Sequence, residues 1–176
     1  MKTIILVLTV TVFGILVSCC KIFYSDEKLS MKRVDYNGNQ LRLDGYYYYY
    51  NSNEDYTMIS FLYRNGTVLS TRAYYLSNDL DAIEKRMIQE HESLRKDKTR
   101  WGVFTIFGSR IGYERWAAPD EGGLTVWRRS GHIENDTTYS ITEEHFSYNN
   151  KKYDVNETWH FKQFDHKPDS TNNYIK

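Results

Sequence analysis

The 176-residue chain predicts a mainly β fold: an antiparallel meander of about eight strands closing into a barrel or half-barrel, with one amphipathic helix inserted after the third strand. Three observations carry this. The chain has 16 tyrosines, twice its 8 phenylalanines, and tyrosine favours the pleated, half-buried surface of a strand. Apolar and polar residues alternate, as in Val103/Thr105, Thr125/Trp127 and Tyr139/Ile141, which suits antiparallel strands with one solvated face. Turn residues punctuate the body at short, unequal intervals, so the pattern is a meander and not a solenoid repeat.

The elements follow in order. Leu41 to Tyr50 is the first strand, and period-two geometry sets Tyr46, Tyr48 and Tyr50 on one face, Tyr47 and Tyr49 on the other. Tyr56 to Tyr63 and Thr67 to Leu76 form a hairpin around Asn65-Gly66, a pair suited to a turn with positive φ at both central positions. Leu80, Ile83, Met87, Ile88 and Leu94 then recur at helical spacing, with Asn78 as N-cap, acids in the first turn and Arg95, Lys96 and Lys98 near the end. This helix spans about 78–98 and either covers a face of the sheet or plugs an open end. Trp101 to Phe107 and Arg110 to Ala117 flank a Gly108-Ser109 turn, and 118–123 is a loop. Leu124 to Ser130, a turn around Gly131, Thr137 to Tyr148, an Asn149-Asn150 turn and Tyr153 to Phe164 complete the series. The polar stretch from Asp165, with Pro168, reads as a loose tail.

The first residues read as an address. Lys2 is followed by a mostly apolar run from Ile4 to Val17, shorter than the roughly 20 residues of a membrane-spanning helix, hence a signal h-region. Leu16-Val17-Ser18-Cys19 resembles the bacterial lipobox. That resemblance implies cleavage before Cys19, lipidation of its thiol and acylation of the new amine. The domain plan is therefore 1–18 signal peptide, 19–40 lipid anchor and tether, 41–164 β-meander domain and 165–176 polar C-terminal tail. Ser25-Asp26-Glu27 is similar to the short acidic export signal of surface-exposed Bacteroidetes-type lipoproteins. Both cysteines, Cys19 and Cys20, sit at the anchor, so the body has no thiol for a disulfide or for catalysis.

The remaining chemistry points to binding. Equal numbers of basic and acidic side chains, 23 each, argue against a nucleic-acid partner. The five histidines form no short-range metal pattern, and Glu143 and His145 share a strand face without a third group. No nucleophile elbow, phosphate loop or dinucleotide fingerprint is present, so the chain is expected to be no enzyme and to need no cofactor. The aromatics are the one constellation with a use: Tyr46, Tyr48, Tyr50, Trp101, Trp116 and Trp127 are the candidate ligand contacts, their rings joining apolar area to a polar handle. Arg128-Arg129 and Lys151-Lys152 read as solvated charges beside turns.

Together the lipobox Leu16 to Cys19, the segment Trp101 to Gly108 with Ile111 and Trp116, and the end Lys167-Pro168-Asp169-Ser170-Thr171 resemble small Bacteroidetes-type lipoproteins with a lipocalin-like β-meander. The chain departs from lipocalins proper in having no Gly-x-Trp and in placing its helix within the meander. The resemblance implies a protein lipid-anchored in the bacterial envelope, at the outer membrane; the aromatic residues, and not the resemblance, make its domain a binding module for an apolar or glycan ligand or another envelope component. The alternatives are a structural or interaction lipoprotein with a filled core and, third, a hydrolase without a recognised motif.

Overall fold

The structure, a computed structural model, describes residues 25–74, 79–118 and 123–176. The signal peptide, Cys19 and Cys20, the Asn78 cap and the end of the third predicted strand lie outside the described residues.

Eight antiparallel strands pair in sequence order and close into a barrel: β1 Gly45–Asn51, β2 Tyr56–Leu62, β3 Thr67–Tyr74, β4 Trp101–Phe107, β5 Arg110–Ala117, β6 Thr125–Asn135, β7 Thr138–Phe146 and β8 Lys151–Gln163. Closure comes from β1 on β8, with Gly45 opposite Gln163 and Tyr48 opposite His160. The close approach needs a glycine, because a Cβ at Gly45 would stand 2.1 Å from the Lys162 carbonyl oxygen. The helix α1, Leu80–Lys96, follows β3 as expected, and Asp79 caps it, its carboxylate accepting from the Ala82 amide.

Two apolar clusters divide the side chains. One draws on alternate residues of all eight strands, among them Tyr47, Met58, Val68, Phe104, Tyr113, Trp127, Tyr139 and Trp159, and lies inside the barrel. The other lies outside, where Ile83 and Met87 of α1 pack on Tyr46, Ile59, Phe61, Leu69 and Trp101. The helix thus covers one outer face of the barrel and plugs neither end. Ile88, expected in its apolar stripe, is 47% exposed.

Three expectations need correction. Gly131 is not a turn: β6 runs through it with a register shift at Ser130/Gly131, and the reversal comes after Asn135. A glycine in this bulge lets two strands approach where a Cβ would lie 1.8 Å from the Ser140 carbonyl oxygen. The polar stretch expected as a free tether is, from residue 26 onward, a strap on the barrel wall. Asp26 receives the Leu124 amide and the Lys98 ammonium, and the Glu27 carbonyl accepts from Trp116 Nε1. The buried carboxylate of Glu114 takes the amides of Ser30 and Met31, the Ser30 hydroxyl and the Arg128 guanidinium. Tyr36 and Leu41 then cross the far end of the barrel, Tyr36 against Phe104 at 5.7 Å, and close it. The predicted loose tail is held as well. Lys167 Nζ donates to the carbonyls of Leu43 and Leu62 and stands over the Tyr63 ring, and Tyr174 donates to the Lys96 carbonyl. Polar composition made both segments read as free chain, yet polar backbone docks wherever a buried acceptor or donor awaits it.

Burial alone would raise the Glu114 pKa, but the Met31 and Ser30 bonds and Arg128 hold it below its ordinary value. A depressed carboxylate contributes stability that is present above its unfolded pKa and disappears as the pH falls through its folded one. Hydrogen-exchange protection of the Ser30 and Met31 amides should therefore stand at neutral pH and disappear only as the pH falls below the ordinary carboxylate range. Glu114→Gln should lower it at least about tenfold at neutral pH, the loss expected when charged hydrogen bonds become neutral ones. Protection unchanged by acid and by the substitution would contradict this clamp.

Candidate ligand-binding mouth

The end of the barrel opposite Tyr36 is where β1, β3, β5 and β7 finish. Its interior is not filled by the described residues. Two cavities open there, of about 490 and 350 Å³, and both are lined by Met58, Arg72, Trp127 and Phe146. They are two lobes of one mouth. Below them the interior closes: Tyr139 stacks on Trp159 at 5.7 Å, Tyr47 packs on Tyr139 and Phe161, and Ser60 and Ser70 bond to each other.

The aromatic expectation divides sharply at this point. Of the six residues, Trp127 alone lines the mouth. Tyr46 lies outside, fully buried beneath α1, its hydroxyl donating to Glu84; burial and that bond raise its pKa. Tyr48 shares that outer side, and Tyr50, on the same face of β1, donates to Asp55 in the turn. Trp101 is buried under the helix, donating to the Arg95 carbonyl, and Trp116 is covered by the strap. The split of β1 into two faces holds, but Tyr47 and Tyr49 point inward. Both faces of β1 are buried, so aromatic content could not tell the inner from the outer.

Charge is what the sequence reading missed. Arg129, expected as a solvated charge, is 3% exposed, because alternation along β6 sends it inward while Arg128 faces out to Glu114. Its guanidinium pairs with Glu157 at 2.5 Å and lies 3.6 Å from Glu144, while Nη1 donates to the Tyr113 hydroxyl. Burial alone would lower the Arg129 pKa, but Tyr113 and Glu157 hold it above its ordinary value. Glu144 turns inward because of the irregularity between Ile141 and Glu143, and Glu143 pairs outside with Lys152. His145, its neighbour on the strand, meets Asn150 in the turn. Glu157 also accepts from Trp159 Nε1, so the ion pair is tied into the packed floor.

Arg72 and Arg115 complete the wall. Arg72 lies over the Tyr56 ring at 4.9 Å and donates to Met58 Sδ and the Tyr74 hydroxyl. Arg115 lies over Trp127 at 4.2 Å, with Arg129 over the same ring at 4.7 Å and Phe146 stacked on it at 5.6 Å. Burial lowers the Arg115 pKa to about 10, with Arg72, Arg129 and Arg100 adding like-charge repulsion, so it remains cationic at neutral pH. A sequence signal for these residues existed. In Tyr113/Arg115 and Trp127/Arg129 the arginine sits two positions from a large aromatic and so shares its face.

The buried ion pair at the floor has a measurable weight. Arg129→Met should cost about 3 kcal/mol in urea unfolding, because it leaves two inward carboxylates without their cation. A loss below about 1 kcal/mol would show the pair to be as dispensable as an exposed one. Comparison of the chain with models of protein families, with curated proteins and with solved structures finds no match.

Proposed function

We propose that the chain is a lipid-anchored protein of the bacterial envelope whose barrel binds a small ligand in its open mouth. The observation that carries this reading is the division of the interior. The closed end is packed by side chains, whereas the mouth keeps cavities of about 490 and 350 Å³ walled by Met58, Trp127 and Phe146. Volumes of this order are typical of ligand sites, and the walls set ring and thioether surface beside several charged side chains. An eight-stranded barrel is just wide enough either to be filled or to hold one small ligand. The packed floor speaks for the alternative, a structural lipoprotein with a filled core, only at the closed end.

The strap supports an anchored orientation. Asp26 is tied at the mouth end to Leu124 and Lys98, and seven residue steps separate it from Cys19. Seven steps reach at most about 25 Å. A barrel lipidated at Cys19 therefore holds its mouth close to the lipid surface, not at the far pole. The acidic pair Asp26-Glu27, similar to an export signal, also has a structural task in holding that strap.

Two experiments test the two halves of this reading. Cys19→Ser should move the protein from the membrane to the soluble fraction; unchanged fractionation would refute lipidation at that residue. Titration of the full chain in lipid nanodiscs with 4-phenylbutanol should quench tryptophan fluorescence saturably, and Trp127→Phe should abolish that change. A linear, non-saturating response, the same in both proteins, would leave the mouth without a ligand and favour the structural alternative.

A further inference from the structure

The larger lobe of the mouth carries more positive charge than its own residues neutralise. Among the charged groups lining it, Arg86 is paired with Glu90 on α1 at 2.9 Å, and Arg100 with Asp97 at 3.1 Å. Asp97 is further occupied by the Thr99 amide and hydroxyl. Arg72 and Arg115 form no ion pair among the described residues. Arg115 donates through Nη1 to the carbonyls of Thr99 and Trp116, but its buried Nε has no hydrogen-bond partner. The buried Trp127 Nε1 beside it also lacks one.

Unneutralised guanidinium groups gathered in a half-buried cavity repel one another, and an unpaired buried donor costs free energy. The repulsion is relieved by an anion that enters the lobe. The shape of the lobe narrows the anion further. A guanidinium is a planar fork matched to carboxylate or phosphate, and ring stacking on Trp127 and Tyr56 holds Arg115 and Arg72 in orientation. Directly beside them Met58 and the stacked Trp127–Phe146 pair offer an apolar wall. The smaller lobe differs, since Glu54, Glu144 and Glu157 line it together with Arg72 and Arg129, and Glu144 and Glu157 already compensate Arg129.

We infer that the mouth is specific for an oxyanion-headed amphiphile, a carboxylate or phosphate ester with a flat or apolar body, whose head binds Arg115 and Arg72 and whose body lies on Met58, Trp127 and Phe146. This rests on the mouth being a ligand site, and it assigns the ligand's chemical class. The head group is read by the arginines and the body by the wall, so neither inorganic phosphate nor a neutral alcohol satisfies both.

Calorimetry on the full chain in lipid nanodiscs, with empty discs subtracted, separates the possibilities. 4-Phenylbutyrate and 4-phenylbutyl phosphate should bind at least about tenfold more tightly than 4-phenylbutanol, the scale of a charge-assisted hydrogen bond. R115Q should remove that preference, phenylbutyrate then binding no more tightly than phenylbutanol does to the same variant, and R115K should recover only part of it because a point charge lacks the fork. R72Q gives the same reading should R115Q lose phenylbutanol as well and so prove misfolded. Equal affinity for the acid and the alcohol, or a preference that survives R115Q and R72Q, overturns the inference and leaves the ligand site standing. Inorganic phosphate binding as tightly as the phosphate ester overturns the amphiphile assignment in favour of a free-anion site. Binding of none of these probes overturns the ligand site itself.

Discussion

Closure of the sheet by β1 on β8 is the constraint from which the other features follow. Eight strands leave no free edge, and they enclose a bore whose width is set by strand number and tilt, not by the residues inside. Each alternate side chain must therefore go into that bore, whatever its chemistry. Tyr47, Phe104, Tyr139 and Trp159 fill it at the end that the Tyr36 segment closes. Towards the other end the same alternation brings in Arg72, Arg115, Arg129, Glu144 and Glu157. Charged side chains cannot pack against one another as an apolar core does, and the bore stays open there.

The outside of the barrel is governed by the same alternation. Tyr46, Ile59, Phe61, Leu69 and Trp101 face outward and must be covered, which α1 does with Ile83 and Met87. The strap and tail cover what the helix leaves, through backbone bonds to Glu114 and the insertion of Lys167 between the Leu43 and Leu62 carbonyls. Burial lowers the Lys167 pKa to about 8, a sign of how far that ammonium is drawn from water. The strap also gives the barrel polarity, because it starts at the mouth and finishes beneath the floor.

The fold was largely legible because it depends on local signals: tyrosine-rich alternation, the Asn65-Gly66 hairpin and the spacing of Ile83, Met87 and Leu94. The site was less so. Alternation states which residues share a face but not which face is inside, and β1 is buried on both sides, so nothing in its sequence separates Tyr46, Tyr48 and Tyr50 from Tyr47 and Tyr49. Gly131 looked like a turn because a glycine between polar residues reads alike in a turn and in a bulge. Glu114 and the strap left no trace in sequence, since the acceptor and the amides it holds are more than eighty residues apart. Arg115 and Arg129 were visible only as neighbours, two positions on, of Tyr113 and Trp127.

The bore is filled at one end and stands open at the other, where we propose that a ligand binds. A crystal structure of the protein with a bromine-labelled 4-phenylbutyrate tests it most directly, because anomalous scattering locates the bromine without reference to the side chains. The bromine is expected among Met58, Trp127 and Phe146, with the carboxylate on the guanidinium of Arg115. A mouth occupied by the protein's own side chains, with the bromine absent or bound elsewhere, would contradict it.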